Sequence, residues 1–469
     1  IDGKISIKGA YAIRTGLIEM MRGNRRRFPF WFYGWFSVSD PPPAFAKPVI
    51  CCWRRLCKVL DKCVIAGDMW SCYTWDSRVE RRYDMNSIDI QNKDSKYVAN
   101  TYKRFPVTLT EGCGAIAKDP EGKEYIDFTS GIGVNCLGYA DKGWADAVSE
   151  QAHKLQHTSN LYSTQPDVEV AEKLCEYTGF SKVFFGNSGA EANEGAVKVA
   201  RKYGMEKHGS QCNTIISLNN SFHGRTITTL SATGQDVFHQ FFFPFTEGFR
   251  FVDAGDIEGL KKAVDDTVCG IMIELIQGEG GVVPVDSEFV KEIAHICEEK
   301  DLVFVVDEIQ TGVSRTGTFF CYEQFGVHPD VVTMAKGIGG GLPMGAVLMN
   351  EKTSGVLGFG QHGSTFGGNP VACAGAKYVL DHVMDETFLK AVNEKSAYMI
   401  EKLNAMPQIR SVTGLGLMLG AELPEDMTAG EVAAKCAEKG LLVLTAKTKL
   451  RFLPPLTISK EEIDRGMVI

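Results

Sequence analysis

Six short, almost unbroken apolar runs lie between residues 182 and 350: KVFFGN (182–187), TIISL (214–218), GIMIELI (270–276), LVFVVDE (302–308), VVTMA (331–335) and GAVLMN (345–350). A strand with one wet face alternates apolar and polar residues, whereas continuous runs belong to strands buried on both faces. Helical stretches at 190–206 and 287–300 fall between them. The pattern predicts an α/β fold, a large domain built on a mostly parallel central sheet. Upstream, 165–178 suits a helix through Val168, Val170, Ala171 and Leu174, and YIDF (125–128) a short strand near an N-terminal lobe. Beyond Pro370 a long helical stretch runs to about 404. It is followed by a strand at 411–422, a helix at 428–439 and a strand at 441–446, a smaller α+β domain. The expected organisation is an N-terminal segment (85–155), a large domain (156–370) and a C-terminal small domain (371–469). The closing SKEEIDRGMVI reads as an unfinished helix.

The first 84 residues do not share this order. They hold five of the six tryptophans and 15 Lys/Arg against 8 Asp/Glu, net +7, which leaves −15 for the rest of a chain whose formal charge is −8. RGNRRR, the aromatic run FPFWFYGWF and a Pro triplet (Pro41–Pro43) show neither helical nor strand periodicity. A signal peptide, a transit peptide and a basic-aromatic nucleic-acid arm are the alternatives, and each fits this stretch less well than upstream sequence carried along. The favoured expectation is that Met85 begins the regular protein and that 1–84 is an atypical extension outside the native fold. An acidic body argues against a nucleic-acid partner, and no stretch approaches 18 uncharged apolar residues, so no membrane span is expected. The 14 cysteines form no CxxC pair. They read as thiols of a reducing cytoplasm rather than a disulfide framework or a metal site.

Ligands of open α/β sheets bind at the carboxyl ends of the strands, and three unusual groups sit there. GNSGAEANE (186–194) follows a strand and opens a helix, so the amides of Gly189 and Ala190 make an anion site, or else a plain strand-to-helix turn. Asp307 ends LVFVVD, where an acid needs a cation, either a protonated pyridine nitrogen or an internal Arg or Lys. Lys336 ends VVTMA and is followed by GIGGG, whose glycines are expected to open space beside it. A desolvated amine there suits covalent bonding to an aldehyde, and a phosphate-binding or snorkelling lysine is the alternative. No Walker A sequence occurs, and no dinucleotide-binding loop is expected.

Together GNSGAEANE, NNSFHGRT, VDEIQTG, MAKGIGGGLPMGA and GSTFGGNP resemble the class III (ornithine-type) aminotransferases of the pyridoxal-phosphate (PLP) fold type I. The likeness covers about residues 96–469, and SGIGVNCLGYAD, LQHTSNLY and NNSFHGRTITTLSATGQ bring it nearest to the acetylornithine-specific members. The resemblance implies roles. Lys336 would bond to the cofactor and then serve as general acid and base. Asp307 would pair with the pyridinium nitrogen, Gln310 lie near the ring hydroxyl, Phe222 stack on the ring, and Ser188, Gly189 and Ala190 hold the phosphate. Thr365 would reach the phosphate of a neighbouring subunit in a homodimer, with Ser364 beside it facing substrate. Arg225 would bind a substrate carboxylate. Arg451 would receive the α-carboxylate of glutamate or 2-oxoglutarate, and Glu279 would pair with Arg451 when the ω-amino substrate enters. GLGH is common in the family where this chain has Cys136-Leu137-Gly138-Tyr139, a position without a catalytic role. His223 is expected to be structural.

The implied reaction is a ping-pong transamination between N2-acetylornithine and 2-oxoglutarate, in arginine biosynthesis. Ornithine, succinylornithine or 4-aminobutyrate remain alternative donors, and an aminomutase or a PLP-binding protein without turnover are the remaining readings.

Overall fold

The structure, a computed structural model, describes residues 85–469. The expectation for residues 1–84 lies outside the described residues.

The central sheet has seven strands: β1 (Lys182–Gly186), β2 (Thr214–Leu218), β3 (Phe249–Val252), β4 (Val268–Ile273), β5 (Val303–Asp307), β6 (Val331–Met334) and β7 (Gly345–Met349). Their order across the sheet is β1-β7-β6-β5-β4-β2-β3. The pairs β6–β5, β5–β4, β4–β2 and β2–β3 are parallel, and β7 runs antiparallel to both its neighbours. Every residue of β2, β4, β5, β6 and β7 is buried, as continuous apolar runs require. β3, with the sequence FRFV, was not expected. It is an edge strand, mostly half-buried and carrying Arg250, so it lacks the apolar run that marks the others.

Alternate residues of each strand feed two cores. Ile215, Met272, Val303, Val305, Val331 and Val347 face helix α1 (Gly189–His208) and its Ala192, Ala196, Val199 and Ala200. Ile216, Ile271, Ile273, Phe304, Val306 and Leu348 face the other layer, which includes Phe289, Val290 and Ile293 of the helix Ser287–Glu299. α1 lies close on the sheet because it is lined with small residues. A Cβ added at Gly204 would come within 2.4 Å of Cys269 Cβ.

The C-terminal part departs from expectation in three places. The stretch after Pro370 is two helices, Pro370–Val383 and Glu386–Asn404, because Asp385 caps the second by accepting from the amides of Thr387 and Phe388. The strand expected at 411–422 is a hairpin of β8 (Ser411–Leu415) and β9 (Met418–Glu422). The strand expected at 441–446 divides. Leu441–Leu442 runs parallel beside Glu124–Asp127, while β10 (Leu444–Ala446) joins β11 (Lys449–Phe452) and the hairpin. Arg315, 2 % exposed, ties the loop beyond β5 to this C-terminal part. Its Nη1 donates to the carbonyls of Leu417 (3.0 Å) and Pro454 (2.6 Å).

Candidate active site

The register of the sheet builds the site. Asp307 is the last residue of β5 and pairs with Thr333 of β6, and Lys336 follows two residues after β6 ends. Both side chains line one cavity of about 410 Å³ at the carboxyl ends of the strands, together with Ser188, Gly189, Ala190, Phe222, Arg225 and Gln310. A cavity of this size and mixed lining suits a small cofactor with its substrate.

Asp307 is 4 % exposed and held by three donors. Its Oδ2 accepts from Asn193 Nδ2 (2.8 Å) and pairs with His223 Nδ1 (2.8 Å), and its Oδ1 accepts from the Ile309 amide (3.0 Å). Asn193, on α1, also accepts from Thr333 Oγ1 (2.7 Å), and His223 Nε2 lies 3.1 Å from Ser217 Oγ. Burial works against the charged form of His223. The hydrogen bond and charge of Asp307, with Glu274 behind, outweigh it and raise the pKa. His223 is therefore structural in the sense that it orients the carboxylate. Asn193, Glu274 and Thr333 had no assigned role in the sequence reading. Asn193 stands inside the quoted GNSGAEANE, where an amide on the buried face of a helix was the available signal.

Lys336 takes a left-handed backbone, φ +47°, which is strained for a residue with a side chain and is typical of functional positions. Burial lowers its pKa; Glu279 opposes that shift and Arg451 adds to it. The following glycines do less to open space than expected. A Cβ at Gly340 would meet Trp144 Nε1 at 2.6 Å, so this glycine makes room for Trp144 rather than for a ligand, while Gly341 does line the cavity.

Ser188 caps α1, accepting from the Glu191 amide (3.2 Å), and leaves the amides of the first turn toward the cavity wall. A Cβ at Gly345 would lie 2.3 Å from the Ser188 carbonyl, so β7 is pressed against this turn. Phe222 stands edge-on to Phe238 (5.7 Å between centroids), and the Arg225 guanidinium lies over both rings, at 5.4 and 4.4 Å. Arg225 is exposed and makes no ion pair among the described residues.

Glu279 and Arg451 lie behind Gln310. Arg451 Nη1 donates to Glu279 Oε1 (2.5 Å) and to Gln310 Oε1 (3.2 Å), while its buried Nε has no hydrogen-bond partner. Ser364 and Thr365 are not brought into the cavity. Ser364 Oγ accepts from Asn187 Nδ2 (2.9 Å), and the exposed Thr365 lines a separate small hollow with His157, Asn160 and Asp167. Tyr139 is not among the residues that line the cavity, and its backbone pairs with Gly114. One glycine pattern passed unnoticed in the sequence: GFGQHG (358–363) has GxGxxG spacing. It lies in turns between β7 and the helix Pro370–Val383, without the strand-to-helix junction a dinucleotide needs.

An anion cradle at a helix start, a buried oriented carboxylate and a desolvated lysine around one cavity are the elements of a PLP site, and the residues present fit that cofactor. Residues 97–469 match the sequence family Aminotransferase class-III, and the chain belongs to it. Members of this family are PLP-dependent transferases. The chain is 49 % identical over 386 residues to the acetylornithine aminotransferase of Haemophilus ducreyi, covering 82 % of this chain and 98 % of that one. Among solved structures it is similar to the ornithine aminotransferase of Toxoplasma gondii, with a TM-score of 0.78, 33 % identity and coverage of 82 % and 94 %. It is also similar to the N-acetylornithine aminotransferase of Stenotrophomonas maltophilia, with a TM-score of 0.70, 36 % identity and coverage of 80 % and 96 %.

Proposed function

We propose that the chain transaminates N2-acetylornithine with 2-oxoglutarate, giving N-acetylglutamate 5-semialdehyde and glutamate. The observation that carries the chemistry is the meeting of Ser188–Ala190, Asp307 and Lys336 around one cavity. The donor is supported by identities of 49 %, 47 % and 45 % to three acetylornithine aminotransferases, each over about four fifths of the chain.

When bound, PLP supplies an electron sink for charge developing on the substrate carbon that carries the nitrogen. The protein binds, orients and moves protons. Asp307, kept in place by Asn193 and His223, offers a carboxylate for a positive ring nitrogen. Desolvation makes the neutral form of Lys336 Nζ more available, so it can bond to the cofactor and afterwards take a proton and return it. The first-turn amides of α1 would hold the cofactor's phosphate. Gln310 stands between the cavity and Arg451, where it would lie near the ring hydroxyl, and Phe222 would stack on the ring. Arg225 presents an unpaired guanidinium to a substrate carboxylate. Arg451 receives the α-carboxylate of glutamate when Glu279 moves off it, and Glu279 neutralises Arg451 when the ω-amino substrate enters. A movable counter-charge lets one pocket take two differently charged substrates. Thr365 serves the phosphate of a neighbouring subunit in a homodimer, with Ser364 beside it facing substrate; the exposure of Thr365 and of Phe366 (60 %) supports this. A cytoplasmic location is supported by nine free cysteines among the described residues.

The test is turnover of a panel of ω-amines with 2-oxoglutarate by the PLP-loaded protein, with the absorption of the cofactor followed on adding glutamate. N2-acetylornithine is expected to give the highest kcat/KM, with stoichiometric use of 2-oxoglutarate. Failure with acetylornithine alongside activity on 4-aminobutyrate rejects the proposed donor. A Lys336→Ala protein that still cycled would reject the assigned chemistry.

A further inference from the structure

Glu274 has no place in the chemistry above, yet it is 5 % exposed at the carboxyl end of β4, and both oxygens of its carboxyl group are engaged. Oε2 accepts from the Phe222 amide at 2.8 Å and Oε1 from the Gly278 amide at 3.4 Å. These amides belong to two different segments. Phe222 leads into the segment that carries His223 and Arg225, and Gly278 directly precedes Glu279.

Other contacts join the same two segments. Gln277 Nε2 donates to the Asn219 carbonyl (2.7 Å). A Cβ at Gly280 would lie 2.6 Å from the Asn220 carbonyl, and one at Gly278 would lie 2.5 Å from Gln310 Nε2. The Gly278–Gly280 turn thus lies between the Phe222 segment and Gln310, and at Gly280, where the neighbour is backbone, only a glycine fits. Further along, the Val282 carbonyl accepts from Thr413 Oγ1 (2.7 Å) on β8. Between these two fixed flanks Glu279 projects toward Arg451.

We propose that Glu274 is a positioning residue that fastens the Phe222–Arg225 segment to the Glu279 turn, holds Glu279 on Arg451, and so sets the pocket's preference between an ω-amino donor and glutamate. The inference rests on the reading of Glu279 and Arg451 as the movable pair. The link to Gly278 is the longer of the two hydrogen bonds and the easier to release. Releasing it frees Glu279 to leave Arg451. An unpaired Arg451 favours the extra carboxylate of glutamate and disfavours a donor that lacks it there. Glu274 thereby acts at one remove from the substrate.

Glu274→Gln separates the two links. A carboxamide has one accepting oxygen, which stays with the nearer Phe222 amide, so its NH2 faces the Gly278 amide and the turn is released. The measurement is kcat/KM for acetylornithine and for glutamate at pH 9, where the Glu274 carboxyl is ionised, by single-turnover absorbance of the PLP-loaded protein, in wild type, E274Q, E279Q and the double variant. The ratio of acetylornithine to glutamate is expected to fall about tenfold in E274Q, equivalent to about 1.4 kcal/mol, mainly through KM. No further fall is expected when E274Q is added to E279Q. Equal losses on both substrates, or an undiminished fall in the E279Q background, overturn the proposal. A wild type active on acetylornithine whose ratio does not respond to E279Q overturns instead the reading of the movable pair, and this proposal with it. If E274Q does not fold, Glu274→Asp, which withdraws the same carboxyl group by one methylene, is read by the same ratio.

Discussion

Asp307 and Arg451 are both almost wholly buried charges of one site, and they are held in opposite ways. Asp307 has three donors within 3.0 Å, and two of them, Asn193 and His223, are themselves anchored, by Thr333 and Ser217. Arg451 has one carboxylate partner, a longer bond to Gln310 and a buried Nε with nothing to bond. Its partner Glu279 keeps 32 % of its side chain exposed. A closed network permits one arrangement, whereas a buried donor left unpaired, at a cost of about 1–3 kcal/mol, is a place where another acceptor is welcome. The first arrangement belongs to a permanent guest and the second to substrates that alternate.

The sharpest way to break this comparison is to remove each charge in turn. Asp307→Ala leaves His223 and Asn193 without their shared acceptor, so unfolding stability in urea should drop by about 3–5 kcal/mol. With the ring charge unbalanced, kcat should fall about a thousandfold. A variant within 1 kcal/mol of wild type would show that the network is not what holds this end of the sheet. Arg451→Met should behave differently. Its urea midpoint should stay level or rise, because an unpaired buried donor disappears and Glu279 retains solvent, while KM for glutamate and 2-oxoglutarate should rise about a hundredfold. A large loss of stability with little change in KM would make Arg451 structural. Next in size, Glu279→Gln should lower KM for glutamate several-fold and weaken use of acetylornithine about tenfold, with a lower urea midpoint because buried Arg451 loses its one carboxylate partner.

The smallest expected effect is on pH dependence. Burial pushes the Glu274 carboxyl up to about 8; His223 partly offsets this, and Asp307 adds to it. An acid whose folded pKa is raised binds its proton more tightly in the native state. Its contribution to stability is therefore full below the ordinary value near 4.5 and is lost as pH rises toward 8. His223, also raised and facing the same carboxylates, acts with the same sign above its ordinary 6.5. Urea midpoints at pH 5 and pH 8 should converge in E274Q relative to wild type. An unchanged difference would assign the slope to His223 and to Glu308, whose carboxyl burial raises to about 7.

Local chemistry made much of this protein legible in advance. Five interior strands could be read because burial on both faces demands continuous apolar residues, and a strand needs no partner's identity to show that it is buried. Asp307 and Lys336 stood out because a charge directly after such a run is costly unless it has a use. GNSGAEANE was visible as the junction that ends a strand and begins a helix. Only the tertiary structure decided the rest. It placed the edge strand Phe249–Val252, whose half-wet pattern resembles a loop, and it divided 441–446 between two sheets, a pairing with Glu124–Asp127 that no local period announces. It also supplied the groups that make the landmarks work. Asn193 meets Asp307 across 114 residues of chain and Arg451 meets Glu279 across 172. A residue's own neighbours in sequence report how deeply it is buried, but which donor faces which acceptor is settled only when distant segments pack.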